Sequence, residues 1–181
     1  KGFASTDLDV VHSWAMFRLV RRTIRGPRGE VFERTFVSTP GAVGVVAVTR
    51  DNHIVLVSQY RSSFDDFVLE IPAGMRDVVG EDPARTAWRE LAEETGYIPG
   101  TVEHLGSCLS SPGVTDSVVE LFIARDVVEG DSAPEGPEEL DMTVLLVPFA
   151  EALAMVESGE ITDAKSVVGI LLTARRFHDL G

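Results

Sequence analysis

Cysteine is almost missing from this 181-residue chain. Cys108 stands alone, so neither an intrachain disulfide framework nor a cysteine zinc cluster is available, and a reducing, cytoplasmic setting is the expectation. No apolar run approaches the roughly 20 residues needed to span a bilayer, and the N-terminal residues lack a signal-peptide pattern. No membrane partner is therefore expected. Positive charge is scarce: 16 Lys and Arg face 29 Asp and Glu, for a formal charge of −13. Non-specific nucleic-acid binding depends on neutralising phosphates, so no nucleic-acid partner is expected either. His12, His53, His104 and His178 show no zinc-ligand spacing. Internal repeats and low-complexity tracts are missing too. A chain this acidic needs a divalent cation or locally placed arginines if it is to handle a phosphate-rich small molecule.

What is present is the composition of a globular domain, 44% apolar with a mean hydropathy of +0.11. The length suits one domain, or one domain with a small appendage. "WAMFRLVRRTIR" (14–25) and "EVFERTFVS" (30–38) flank the turn-rich "GPRG" and read as an N-terminal hairpin. "GAVGVVAVTR" (41–50) and "HIVLVSQYR" (53–61) read as a second hairpin of β-branched strands. "FVLEIPAG" (67–74) reads as one strand ended by Pro and Gly. Further strands are expected around 102–109, 117–125 and 141–147, with amphipathic helices over 149–160 and 163–177. The chain thus divides into an N-terminal strand region, 1–39, and a main domain, 40–181. The fold class is α/β: a mixed sheet with helices on its faces.

One further helix is delimited clearly. Asp82 is its N-cap, Pro83 its first residue and Gly96 lies just past its end. Ala84, Ala87, Leu91 and Thr95 form a narrow stripe suited to close packing. Glu90, Glu93 and Glu94 share a neighbouring face at spacings of three and four, where like charges cost a few tenths of a kcal/mol. Arg89, four before Glu93, can orient it with a fork of donors. Converging carboxylates suit Mg²⁺ or Mn²⁺. A bare E-x-x-E-E by itself favours a solvated acidic face, so the flanks must decide.

The flanks carry a resemblance. "GMRDVVGEDPARTAWRELAEETGY" (74–97) resembles the signature of the Nudix hydrolases, G-x5-E-x7-R-E-U-x-E-E-x-G-U, with U a bulky apolar residue. Gly74, Glu81, Arg89, Glu90, Leu91, Glu93, Glu94, Gly96 and Tyr97 occupy its fixed positions. The Gly74–Glu81 spacer holds six residues instead of five, and Tyr97 stands where an aliphatic residue is usual. The resemblance implies an α/β/α sandwich and a metal-dependent attack of water on a nucleoside diphosphate linked to another group. It implies Glu90, Glu93 and Glu94 as ligands of Mg²⁺ (or Mn²⁺), together with the backbone carbonyl of Ala73. Arg89 becomes an orienting residue of the catalytic machinery.

"TPGAVGVVAV", "VSQYR", "LEIPAGMRD" and "SSPGVTDSVVELFIA" resemble, in order, the ADP-ribose pyrophosphatase branch of that family. This resemblance implies hydrolysis of ADP-ribose to AMP and ribose 5-phosphate. The alternatives are another nucleoside diphosphate sugar or a dinucleotide, or a domain that only senses such nucleotides. The branch has a proline fifteen or sixteen residues past the motif; Pro112 lies at that distance, followed by Gly113, although an ordinary turn also explains the pair. Its catalytic base is a glutamate on a loop before a late strand. In the acidic stretch 129–148 that places the base at Glu139, with Glu138 the adjacent alternative. Arg61 matches an arginine near the diphosphate, or forms a surface pair with Asp65 or Asp66. Glu70 contacts the ribose or adenine, or pairs with a neighbouring arginine. The branch forms homodimers through the N-terminal hairpin, for which Trp14, Phe17 and Phe32 offer anchors.

Overall fold

The computed structural model describes residues 2–130 and 141–177. Two compact units are formed, one from residues 1–41 and 109–118, the other from 42–108 and 119–181.

The first unit is built on a three-stranded antiparallel sheet in the order β1-β2-β3. These strands are β1 (Ala4–Trp14), β2 (Phe17–Arg25) and β3 (Val31–Ser38). The expected hairpin is present as β2–β3, but Trp14 ends β1 instead of opening β2, and a turn at Ala15 intervenes. β1 was not legible because its pairing slips between Ser5 and Asp7 and again between Val10 and His12. Each slip breaks the period of two that marks a strand. Residues 109–118 join this unit through a Val37–Thr115 bridge and a hydrogen bond from Thr39 N to Asp116 Oδ1 at 2.9 Å.

In the second unit the main path runs β11-β5-β4-β10-β8. Its strands are β4 (Ala42–Thr49), β5 (His53–Arg61), β6 (Asp66–Glu70), β7 (Ala73–Met75), β8 (Tyr97–Ile98), β9 (Thr101–Leu109), β10 (Val118–Glu129) and β11 (Thr143–Pro148). β10 and β4 are parallel and β4, β5, β6 and β11 pair antiparallel, so the sheet is mixed. β4 is a near-continuous apolar run because it is buried on both faces. Val46 and Val48 enter one core with Phe149, Ala152 and Ile170 from the helices α2 (Phe149–Ser158) and α3 (Ala164–Arg176). Val43, Val45 and Ala47 enter the opposite core with Ala87 and Leu91 of α1 (Pro83–Thr95). A sheet between α1 and the α2/α3 pair is the α/β/α arrangement. Burying Leu91 completely contributes about 1.5–3 kcal/mol.

The segment expected as one strand over 67–74 is two. β6 pairs with β5, whereas β7 pairs with β4. Between them Ile71 N donates to Ser166 Oγ at 2.8 Å, and Pro72, which has no N–H, offers its carbonyl to Val45 N at 2.9 Å. The change of partner carries Ala73 and Gly74 over to the N-terminal half of β4, beside α1.

Candidate active site

The caps set the length of α1. Asp82 accepts from Ala84 N at 2.9 Å, Pro83 opens the helix, and Gly96 closes it in the left-handed region at φ 75°. With Ala87 and Leu91 turned into the core, Glu90, Glu93 and Glu94 face β7. They line one cavity of about 250 Å³ with Ala73, Gly74, Arg89 and Arg61. Gln59, Met75 and Asp77 complete its wall.

Each carboxylate is held differently. Glu94 is 8% exposed, and the backbone amide of Ala73 donates to its Oε2 at 3.1 Å. Glu90 lies so close to the backbone of Gly74 that a Cβ there would overlap its carboxylate. Arg89 gathers the rest: Nη1 meets Glu93 at 2.9 Å, and Nη2 meets Glu90 at 3.0 Å, Asp77 at 3.3 Å and Glu81 at 3.4 Å. Thr86 Oγ1 donates to Glu81 at 2.9 Å. Burial would lower the Arg89 guanidinium, but Glu90, Glu93 and Glu81 outweigh it and hold it above its ordinary value. Burial drives the Glu90 carboxyl up to about 7; Arg89 opposes this, while Glu93 and Asp77 add to it.

Too much negative charge therefore meets one guanidinium. Among the described residues no group of three or more His, Cys, Asp or Glu is drawn together tightly enough to hold a metal ion. The donor chemistry nevertheless fits a hard divalent cation: carboxylate oxygens converge on one cavity, and burial disfavours the charge of Glu90 unless a cation offsets it. The cradle at Gly74, which any side chain would fill, points the same way.

A family model for the NUDIX domain matches residues 38–167. The chain belongs to the Nudix family. It is 36% identical over 169 residues to an ADP-ribose pyrophosphatase of Mycobacterium tuberculosis, covering 93% of this chain and 82% of that one. It is 38% identical over 144 residues to a methanol dehydrogenase activator of Bacillus methanolicus, covering 80% and 77%. The fold is also that of a crystal structure of an ADP compounds hydrolase, with a TM-score of 0.82 at 20% identity over 100% of this chain and 97% of that one.

The remaining Nudix-motif residues lie outside the cavity wall. The extra residue between Gly74 and Glu81 is taken up in the loop before α1, and Glu81 keeps its reach to Arg89. Leu91 and Tyr97 are buried in the core under α1, so the aromatic ring fills the position of an aliphatic side chain. Arg61 does not pair with Asp65 or Asp66. It makes a two-point bond with Glu70, at 2.6 and 2.7 Å, because antiparallel β5 and β6 put both side chains on one face. Pro112 and Gly113 belong to the first unit, in a turn closed by Val114 N to Ser111 O at 2.9 Å. There they border a cavity of about 500 Å³ with Arg22, Arg34 and Phe36. Glu138 and Glu139 lie outside the described residues. Of the acidic stretch 129–148, Thr143–Pro148 form β11, as expected for a strand around 141–147. Sequence reading missed Gln59 and Asp77 as cavity residues, and it missed Asp163, Lys165 and Ser166 around Glu70. Only Asp163 carried a signal, as the N-cap of α3.

Proposed function

We propose that this Nudix enzyme hydrolyses ADP-ribose to AMP and ribose 5-phosphate. The observation that carries the proposal is the convergence of Glu90, Glu93, Glu94, the Gly74 cradle and Arg61 on one cavity. The ADP-ribose pyrophosphatase among its relatives supports the choice of substrate. Glu90, Glu93, Glu94 and the carbonyl of Ala73 would hold Mg²⁺ or Mn²⁺. A divalent cation bound there supplies neutralisation of diphosphate charge and Lewis-acid activation. Arg61 receives a diphosphate oxygen at the rim. Arg89 keeps Glu93 and Glu90 aimed at the cavity. Glu139, or Glu138 beside it, takes the proton from the attacking water as its oxygen bonds to phosphorus and the bridging P–O bond breaks. Glu70 acts on the substrate side by anchoring Arg61, and Pro112 and Gly113 shape a substrate-binding turn.

The test is a panel of ADP-ribose, other nucleoside diphosphate sugars and dinucleotides, assayed with Mg²⁺, with Mn²⁺ and with chelator. ADP-ribose should be turned over fastest, and only with metal. Preference for another substrate replaces ADP-ribose in the proposal, and chelator-resistant hydrolysis overturns the metal chemistry. Glu139→Gln should cut kcat by about 10²- to 10⁴-fold with little change in KM. If Glu138→Gln is the inactive variant instead, the base is Glu138.

We also propose residues 1–39 as a dimerisation region joined to the catalytic domain, 40–181. β1 is an edge strand whose Leu8, Val10, Val11 and Trp14 are all exposed. Light scattering should give a dimer for the wild type and a monomer for Leu8→Glu/Val10→Glu. No helix among the described residues is long and apolar enough to cross a membrane, and a cytoplasmic location is part of the proposal.

A further inference from the structure

A second cavity of the catalytic unit, of about 390 Å³, is lined by Arg61, Phe64, Glu70, Asp163 and Lys165. Its charged groups form a chain. Arg61 Nε and Nη2 donate to the two oxygens of Glu70. From the other side Lys165 Nζ donates to Glu70 Oε2, and also to Asp163 Oδ2 at 3.0 Å. Asp163 is held in turn by Ser166, whose amide and hydroxyl donate to it at 3.0 and 2.5 Å. Glu70 is 3% exposed, and the Lys165 side chain 14%. Burial would raise the Glu70 carboxyl, but Arg61 and Lys165 together keep it below its ordinary value.

Arg61 lines both cavities. That shared position makes the second cation consequential. A two-point Arg61–Glu70 pair by itself is neutral and offers an incoming diphosphate little net charge. An unanchored Arg61 would instead be drawn to the carboxylates of the acidic cavity; Glu94 already acts on it. Lys165 resolves both difficulties. It takes a share of the Glu70 carboxylate, so the guanidinium is anchored while less of its charge is offset there, and Asp163 in turn pairs with the lysine.

We infer that Lys165 is a positioning residue for substrate: by sharing Glu70 it holds Arg61 at the acidic cavity with enough positive charge to receive the diphosphate. The inference rests on the reading of that cavity as a nucleoside diphosphate hydrolase site. Lys1 and Lys165 are the chain's only lysines, so the side chain can be followed selectively.

The experiment compares wild type, Lys165→Met, Lys165→Arg, Glu70→Gln and the Lys165→Met/Glu70→Gln double variant on ADP-ribose with saturating Mg²⁺. Lys165→Met should raise KM about tenfold, the scale of one charge-assisted hydrogen bond, with kcat within about twofold. Lys165→Arg should restore KM, and Lys165→Met should add nothing in the Glu70→Gln background. In protein labelled with ¹⁵N-lysine, the Lys165 ammonium signal should shift on adding Mg–ADP. An unchanged KM, a loss confined to kcat, or a full tenfold loss in the Glu70→Gln background each overturns the inference. If Lys165→Met loses its circular-dichroism signature of folding, Lys165→Gln carries the same test. A wild type that leaves ADP-ribose intact overturns the functional reading alone. Calorimetry with Mg–ADP then decides: about tenfold weaker binding by Lys165→Met supports the inference, and equal binding overturns it.

Discussion

The two cavities of the catalytic unit handle charge in opposite ways. In the one under α1, Asp77, Glu81, Glu90 and Glu93 crowd around Arg89, and the Glu90 carboxyl is driven up to about 7. In the other, Glu70 and Asp163 meet Arg61 and Lys165, and the Glu70 carboxyl is held down. Each cluster has largely buried members, Glu90 and Glu70, beside more exposed ones, Asp77 and Arg61, so exposure does not separate them; the ratio of carboxylates to cations does. An unbalanced cluster stores an unfavourable energy that an incoming cation would relieve, in keeping with the cation site proposed for it. A balanced cluster stabilises the geometry around it.

Glu94→Gln should break the unbalanced side most severely. It removes charge but keeps shape, and turnover should fall by at least roughly 10²- to 10³-fold, the scale of a lost electrostatic stabiliser. Circular dichroism should stay that of the wild type. Activity that survives at saturating Mg²⁺ removes this helix from the mechanism. Gly74→Ala should come next. Its methyl would displace the Glu90 carboxylate and raise the Mg²⁺ concentration for half-activity about 10- to 100-fold, as losing a ligand's support does.

Glu70→Ala addresses the balanced side. It strands Lys165 without its buried partner and should cost about 3 kcal/mol in urea unfolding, the low end for a broken buried pair because Arg61 is partly exposed. Glu90→Gln should do the reverse in chelator and raise Tm at alkaline pH, since it relieves repulsion. Equal signs for these two variants would erase the distinction between the cavities.

The unbalanced side also predicts a pH dependence. The Glu90 carboxyl has an ordinary value of 4.5 and a folded value of about 7, so the folded chain binds the proton more tightly than the unfolded one. Stability in chelator should therefore decline as pH rises from about 4.5 to 7 and then level off. Mg²⁺ should flatten the decline, because a bound cation removes the reason for holding the proton. A Tm that rises over this window in chelator contradicts the assignment of Glu90 as the strained carboxylate.

Much of the acidic cavity was legible in the residues. Asp82, Pro83 and Gly96 delimit α1 through rules of local backbone hydrogen bonding, and helical periodicity alone puts Glu90, Glu93 and Glu94 on one side with Ala87 and Leu91 on another. The β-branched run at 41–50 likewise read as a strand, whereas the burial of β4 on both faces came only with the packing. β1 was not legible, because its slips in register destroy the alternation by which a strand is read. The break between β6 and β7 was not legible either, since Pro72 marks an end without saying which strand the chain joins next.

Sequence by itself determined helix α1 and its glutamate spacing, because helix capping and periodicity act over a few residues and need no partner. Tertiary structure decided what those glutamates face and how Arg61 is held. Glu70 and Lys165 lie 95 residues apart, and only the packing of α3 against the end of β6 brings them together. Pairing across such a distance is set by the closure of the whole core, in which Ser166 binds Ile71 N and Ile170 packs beside Ile71. No local pattern encodes it.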